Sequence, residues 1–590
     1  MEGMDLTRIE PLDTANGAPS TMTRRDAPPA LLGFLVTSMS TFPGRHDYTV
    51  QVLRSQPRRS YALFPYASNH KQAKVWQEEV LVVLSEDVDV PASTDGTNDS
   101  TTGPSGRTGG GPVAEAANKP RRAAIPVVGL EANIYTIPST SSSMIYVSKV
   151  DTTGLASPPF SPARTLVSSF LTYFLQYPPH LTTRLRIHVF AKSQPQYLFP
   201  GSVDNPGKKR LDDKGLTRWW KNCITAAAEA AMVTTSAASD RASMSRSTLE
   251  YAPKMFYLIP GLSYVDSLPY VPVPPPGAQA PQARQEDGQL PQSKPVWIYA
   301  HSYSHLPSLL HSPSHSLDQT PITDLIPAFP DDPKSRFIQS TTSSTLSAAG
   351  LDGDFDDVFL RLKSATITTG ANGTAQARGL DEIEREREKE AKRFRECEGG
   401  IEGWWEMMAF RQECCSGALV AFFVVARGDE QVVEFENAQK DGKQSKDASS
   451  LDPARIVFSH QAPTKERMAI HHPAFVRLWS QFHNVDYSLK NLAKAANMAQ
   501  KWAEDVERVT QNEDDEPERD GSLESCKTED DKIAERKRLN EQGYNQFVRR
   551  RVEVRNEHAE LELSTKRQAA AEAPKAVNVL APRKKKPKNQ

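Results

Sequence analysis

Short apolar runs separated by long polar stretches set the rhythm of this chain. KVWQEEVLVVLS (Lys74–Ser85) ends in an apolar run of strand length, and NIYTI and SMIYVSKV are β-branched and aromatic runs of the same kind. From Thr165 to Tyr177 the residues Leu166, Val167, Phe170, Leu171, Phe174 and Leu175 share one helical face, and Pro178-Pro179 ends that helix. LRIHVFAK then alternates, with Leu185, Ile187 and Val189 on one side and Arg186 and His188 on the other, which predicts a half-exposed strand with a basic face. Asp212 or Asp213 can cap a following helix whose stripe is Leu216, Trp219, Trp220, Cys223, Ile224 and Ala227. MFYLIPGLSYVDSLPYVPVP and WIYAHSY resume the strand pattern. Leu380–Cys397 reads as a charged, solvated helix with Glu388 and Lys392 as an i,i+4 pair. Core composition returns in WWEMMAFRQECCSGALVAFFVVA. Pro473–Val506 reads as one late helix, with Phe475, Leu478, Trp479 and Phe482 on its apolar face. Strands and helices mix without strict βαβ alternation. The expected fold is therefore mixed α/β (α+β), a central, mostly antiparallel sheet surrounded by helices.

Composition changes how many domains that pattern fills. The chain has 590 residues, enough for about four domains at the usual size. Yet hydrophobic residues are 38%, and 44 prolines stand well above the usual share of about 5%. Much of such a chain cannot bury enough apolar surface to offset its ordering entropy. The expected organisation is a disordered arm at 1–28 and one large domain over 29–430. Flexible inserts interrupt that domain at 91–122, 231–253, 275–294 and around 364–380. A helical extension at 431–510 and a charged, disordered tail at 511–590 follow. The longest apolar runs, near Leu31 and from Gly417 to Ala426, are far short of the roughly 20 residues a bilayer requires. The N-terminus is polar, with Glu2 and Asp5 ahead of any apolar run, unlike a signal peptide. A soluble, intracellular protein is expected, with no membrane partner. Five cysteines with no CxxC pair argue against a disulfide scaffold or a Cys-based zinc module.

Net charge is −2, so only local asymmetry can carry recognition. LFPGSVDNPGKKR (Leu198–Arg210) joins a strand to a helix. Its Gly201 and Gly207 suit tight turns, and Lys208, Lys209 and Arg210 suit an anion. It is not a Walker loop: five residues separate the glycines, and Lys209 stands where a hydroxyl belongs, which argues against an ATP-driven machine. A plain basic surface loop fits the same residues. In FPDDPKSRF the carboxylates Asp331 and Asp332 lie beside Lys334. Such a group can draw in a lysine or accept its proton, and an Asx-type turn before Pro333 is the bland alternative. Asp151 ends the strand YVSKVD. His301, His305, His311 and His315 cluster, but prolines interrupt them and no carboxylate or Cys completes a tetrahedral set, so no metal is expected. Cys414-Cys415 has no partnered His in view. RKKKPK (Arg583–Lys588) suits nuclear import, contact with acidic chaperones or nucleic acid, or plain solvation.

The order of these segments resembles one family. VSKVDTTGL, RIHVFAKSQPQYLFPGSVDNPGKKRLDDKGLTRWW, FYLIPGLSYVDSLPYVPVP, FPDDPKSRF and MAFRQECCSG, spread over about 29–427, are similar to the fungal histone H3 acetyltransferases of the regulator-of-Ty-transposition type. The resemblance implies a fold related to the CREB-binding-protein acetyltransferases. It implies acetyl transfer from acetyl-CoA to histone H3, chiefly lysine fifty-six and also tail lysines. It further implies a nuclear role in replication-coupled nucleosome assembly, the DNA damage response and genome stability. The implied partners are histone H3–H4, an anti-silencing-type H3–H4 chaperone and a nucleosome-assembly-protein-type chaperone, with no sequence-specific nucleic acid. Carried onto this chain, the resemblance makes Asp332, Asp331, Asp151 and Trp220 the catalytic set, with Asp332 foremost. Val150, Asp151, Thr152, Phe190, Gln194, Tyr197, Lys208, Lys209, Arg210, Leu211 and Trp219 become the acetyl-CoA site, and Lys334 a self-acetylated lysine. The competing reading is a catalytically inactive chromatin and chaperone scaffold.

Overall fold

The computed structural model describes residues 29–68, 74–90, 121–238, 253–273, 296–312, 315–342, 385, 387–410, 419–428, 469–512 and 548–557. The expected arm at 1–28, the insert at 275–294, the one around 364–380 and the basic end at 583–588 lie outside these residues. So do residues 91–120 and 239–252 of the other two inserts.

Among the described residues, ten strands form one mixed sheet. They are β1 (Gly44–Arg54), β2 (Arg58–Ser60), β3 (Val75–Val90), β4 (Arg121–Ile137), β5 (Ser142–Thr152), β6 (Arg184–Lys192), β7 (Lys254–Leu258), β8 (Val296–Tyr299), β9 (Val420–Arg427) and β10 (Arg549–Asn556). Their order is β10-β1-β3-β4-β5-β6-β9-β7-β8, with β2 paired to β3. Only β5 with β6 and β7 with β8 run parallel; the other pairs are antiparallel, as expected.

Helices α1 (Leu31–Ser40), α2 (Ala163–Gln176) and α3 (Asp213–Ala238) cover one face. Their apolar stripes meet Ile145, Val147, Ile187, Val189, Phe423 and Val425 in the largest core cluster. A single turn, α4 (Tyr264–Ser267), follows β7. The other face carries α5 (Pro333–Thr342), α6 (387–395), α7 (Gly400–Ala409), α8 (His472–His483) and α9 (Leu492–Asn512). There Leu53, Leu81 and Val83 pack under α8 and α9, and Val420 and Phe422 pack under α5–α7. Asp212 caps α3, its Oδ1 accepting from the Gly215 N–H at 2.7 Å. Asp213 instead accepts from the Leu419 N–H at 2.6 Å and ties α3 to the start of β9.

The structure corrects several expectations. Helix α3 runs on to Ala238, into the segment expected as an insert from 231, because its alanine-rich sequence sustains the helix. Arg121 and Arg122, placed in the first insert, open β4. Helix α6 is not solvated all round: Ala391 and Phe394 join the core, and Lys392 pairs with Glu396 while Glu388 pairs with Arg395. The single late helix is two. They break at 484–488, where Asp486 accepts from the Ser488 N–H at 3.0 Å and Tyr487 donates to the Pro200 carbonyl at 2.8 Å. The charged tail contains β10, which pairs along β1 from Gly44↔Asn556 to Gln51↔Arg549. Strand β6 is buried on both faces: Arg186 and His188, expected to be exposed, are 3% accessible, because Tyr303, Pro307 and Phe329 lie over them.

Candidate active site

The site begins where two strands part. β5 and β6 pair in parallel from Ser142↔Arg184 to Val147↔Val189. Beyond that they diverge, leaving Ser148–Thr152 and Phe190–Lys192 facing a wedge without pairing each other. A register shift opposite Glu131 makes Ser148 the extra residue of a bulge. A bulge turns the side-chain alternation by one. Lys149 and Asp151 therefore share the face of Met144 and Tyr146, while Val150 packs with α1–α3.

Asp151 is buried and organises the loop after β6. Its Oδ2 accepts from the N–H groups of Tyr197, Leu198 and Phe199 at 2.7, 3.0 and 3.3 Å. Its Oδ1 accepts from the Thr152 N–H at 2.8 Å and pairs with Lys208 Nζ at 2.8 Å. Lys208 also donates to Ser202 Oγ at 2.6 Å. The glycines of this loop serve close approach, to backbone at Gly207 and to the Asp486 carboxylate at Gly201, which also adopts a positive φ of 76°. A Cβ on Gly207 would stand 2.1 Å from the Gly154 carbonyl oxygen, and one on Gly201 would stand 2.0 Å from Asp486 Oδ1. Asn205 fixes the loop to the C-terminal segment, donating to the Thr153 and Tyr487 carbonyls at 2.8 Å and accepting from the Leu489 N–H at 2.7 Å. Of the three expected phosphate-binding cations, Lys208 is engaged inside the loop, and Lys209 and Arg210 are exposed beside exposed Leu211. Gln194 is exposed, and Thr152 and Tyr197 are half-buried. The Tyr197 hydroxyl donates to the Lys192 carbonyl; burial, then the Asp151 charge, push its pKa above the ordinary phenol value.

The acidic pair is split by backbone geometry. Asp331 adopts φ 57°, a left-handed conformation that Asp tolerates better than most residues. Its carboxylate faces outward, 78% accessible and 4.0 Å from Lys149 Nζ. Asp332 points into the core with no accessible surface. It caps α5 through Oδ1, which accepts from the Lys334 N–H at 3.0 Å, and it pairs through Oδ2 with Lys334 Nζ. The turn before Pro333 and the ion pair are thus one device. The Lys334 ammonium lies 4.7 Å over the Phe422 ring and 5.6 Å over Phe329, a cation–π box. Phe329 stacks on Tyr146 at 4.5 Å, and Phe190 lies 5.0 Å from Phe422. Burial drives the Tyr146 and Tyr303 hydroxyls far above the ordinary phenol value and keeps His188 neutral, well below the usual imidazole range.

The structure brings Asp331, Asp332, Lys334 and Phe190 to one face of the sheet. Trp220 belongs to the other: it is buried among Cys223, Ile224 and the α2 residues, with Trp219 edge-on at 5.0 Å. Cys223 is a core thiol, its pKa pushed up to about 12 by burial. Among the histidines, His311 pairs with Asp324 at 2.8 Å and His301 with Glu402 at 3.0 Å. No group of three potential metal ligands occurs among the described residues.

Sequence reasoning missed a cleft of about 540 Å³ beside Asp331. β3–β5 form its floor, and α8 and the segments around 58–66 and 328–338 form its walls. Within it Glu131 accepts from Trp479 Nε1 at 2.8 Å and from Lys149 Nζ at 3.2 Å, and that ammonium lies 5.2 Å over the Trp479 ring. Trp479 was visible only as one apolar position on a late helix, and nothing local in the sequence links it to Glu131.

The described residues thus bring together a mixed sheet with a strand wedge, a basic loop and a buried lysine–carboxylate pair. The family model of the histone acetyltransferase KAT11-type domain matches residues 169–488, more than half of the chain, and the chain belongs to that family. It is 29% identical over 303 residues to histone acetyltransferase rtt109 of Aspergillus flavus, covering 50% of this chain and 44% of that one. It is 24% identical over 330 residues to histone acetyltransferase rtt109 of Schizosaccharomyces pombe, covering 56% and 63%. The chain spans about half the length of the curated relatives it matches. The crystal structure of Rtt109 from Aspergillus fumigatus aligns at a TM-score of 0.48 and 20% identity, covering 81% of this chain and 96% of that one.

Proposed function

We propose that the protein transfers the acetyl group of acetyl-CoA to lysines of histone H3, chiefly lysine fifty-six and also tail lysines. On this reading it works in the nucleus with an anti-silencing-type H3–H4 chaperone and a nucleosome-assembly-protein-type chaperone. Its role lies in replication-coupled nucleosome assembly and the DNA damage response. The observation that carries the reading is the Asp332–Lys334 pair, buried in an aromatic box on the side of the sheet that Phe190 shares at the β5–β6 wedge.

The residues fit the co-substrate. The wedge offers unpaired backbone to an extended pantetheine arm, and exposed Lys209 and Arg210 suit phosphate oxygens. Acetyl-CoA supplies an activated thioester. An acceptor lysine reaches it as the neutral amine, and its free pKa is about 10.4. Aromatic walls and loss of solvent favour that neutral form. The ammonium releases one proton, for which Asp331 at the cleft mouth is the exposed acceptor. The nitrogen then attacks the carbonyl carbon, the C–S bond breaks, and CoA leaves as the thiol with a second proton. Asp151 holds the loop of the co-substrate site, and Lys334 is the lysine the protein acetylates on itself.

The test mixes the full chain with acetyl-CoA, H3–H4 and a chaperone and follows histone mass. Addition of an acetyl mass that Asp332→Asn abolishes is expected. No added mass, with acetyl-CoA still bound by calorimetry, overturns the enzyme reading in favour of a scaffold.

A further inference from the structure

The cleft beside Asp331 has a polar floor where neighbouring positions of the same sheet face are apolar. Alternate side chains of β3 and β4 share that face. Leu81 and Val83 lie there under α8 and α9, and Tyr135 lies there against Phe329. Beside them Gln77 and Glu79 of β3 and Glu131 and Asn133 of β4 line the cleft. Both floor charges are matched: Glu79 lies 3.6 Å from Arg58, and Glu131 holds Lys149 and Trp479. Gln77 and Asn133 are 4% and 6% accessible, and Gln77 Nε2 donates to Asn133 Oδ1 at 3.0 Å. That bond uses one polar atom of each carboxamide. Gln77 Oε1 and Asn133 Nδ2 have no hydrogen-bond partner among the described residues. Turning both amides over exchanges their atoms and still leaves one acceptor and one donor. Water meets these atoms while the cleft is open, and an occupant that displaces it must replace its bonds. A hydrocarbon side chain would strand both atoms. A charged one would meet no unmatched counter-charge on the floor. An amide brings a donor and an acceptor together and carries no charge.

We propose that this cleft is a specificity pocket for a glutamine or asparagine side chain of histone H3 close to the acceptor lysine. Its carbonyl oxygen accepts from Asn133 Nδ2, and its amino group donates to Gln77 Oε1. The second N–H of that amino group has the carboxylates of Glu79 and Glu131 on the same floor as acceptors, which suits a primary carboxamide. The amide comes from a side chain because a main chain crossing the mouth stays level with exposed Asp331, while the Gln77–Asn133 pair lies at the floor. Phe329, Phe475 and Trp479 in the walls cover its methylene stem. The inference rests on the reading of the chain as a histone acetyltransferase with Asp331 at the acceptor lysine, and it names what the site selects besides that lysine.

The test measures binding of H3–H4 to the full chain by fluorescence anisotropy, alongside acetyl transfer, as each Gln and Asn of H3 is replaced in turn by Leu. The comparison chain carries Gln77→Met with Asn133→Leu. Exchanging both partners of a buried hydrogen bond for apolar groups of similar shape is close to neutral for stability, so this chain is expected to fold. At one H3 position the replacement is expected to weaken binding to the native chain about ten-fold and to the double variant less than about two-fold. If the double variant unfolds, the same comparison is made with Asn133→Asp, which keeps an acceptor for Gln77 and turns the open donor into a carboxylate oxygen. That chain is expected to bind H3 carrying lysine at this position more tightly than H3 carrying the native carboxamide. Absence of H3–H4 binding, or equal fold-changes at every position in the native and altered chains, overturns the proposal whether or not acetyl is transferred. Coupling at one position without acetyl transfer supports the pocket and removes the enzyme reading instead.

Discussion

Asp151→Ala tests whether this carboxylate acts through the loop it holds or on the substrate itself. The side chain is 7% accessible, as is Lys208, its partner at 2.8 Å. Three consecutive loop amides point at its Oδ2 between 2.7 and 3.3 Å. Removing one member of a buried ion pair costs about 3–5 kcal/mol, mostly because the other charge is stranded. The orphaned amides add to that, at about 1 kcal/mol for each bond that water does not replace. The loss falls on residues 193–211, so the Michaelis constant for acetyl-CoA rises along with the loss of stability. Denaturant unfolding and initial rates measure the two. Asp151→Asn with Lys208→Met keeps an acceptor for the amides and removes the stranded ammonium. It is expected to recover most of the stability and most of the rate. A loss below about 1 kcal/mol for Asp151→Ala would refute the anchoring argument. So would a double variant that is stable but as slow as the alanine form; the carboxylate would then act on the substrate directly.

Gly207→Ala is expected to destabilise the same loop, because its Cβ meets a backbone oxygen at 2.1 Å that no side-chain rotation can move; thermal unfolding checks this. Burial holds His188, His301 and His483 below the ordinary imidazole value of 6.5. The unfolded chain takes up protons there that the folded chain refuses. Stability is therefore fully present above about pH 6.5 and falls as pH drops toward 5, and His188→Gln flattens that slope in denaturation midpoints at the two ends. Trp479→Phe and Glu131→Gln open the cation seat of the cleft. Each is expected to change the Michaelis constant for H3–H4 several-fold while leaving that for acetyl-CoA unchanged, as steady-state kinetics would show.

The apolar periodicity placed β3, β6 and α2 well, because each buries its stripe against the sheet core whatever lies above it. It failed wherever a second layer came from far along the chain. The alternation of β6 separates two faces but does not say that both are covered. Arg184 is fully buried because its guanidinium donates to the carbonyls of Pro307, Ser308 and His311 at 3.0–3.1 Å, and these partners lie more than 120 residues away. The sequence RRRVEVRN of β10 looks like tail because an edge strand needs only Val552 and Val554 inward; its arginines reach Asp47, Asp87 and Glu507. The family motifs located Asp151, Asp331, Asp332, Trp220 and Lys334 in order. They said nothing of the left-handed turn at Asp331 that parts the two carboxylates, nor of the sheet that stands between Trp220 and Lys334.

The pairing of β10 with β1 also sets a clock on synthesis. The outer edge of Gly44–Arg54 is complete only when a strand some 500 residues later has left the ribosome. At about 5–20 residues per second, that edge stays open for roughly 25–100 seconds in every newborn chain. Through that interval its backbone donors and acceptors offer a template to any passing strand. A growing chain of this protein therefore carries an open strand edge far longer than one whose first strands pair with their sequence neighbours.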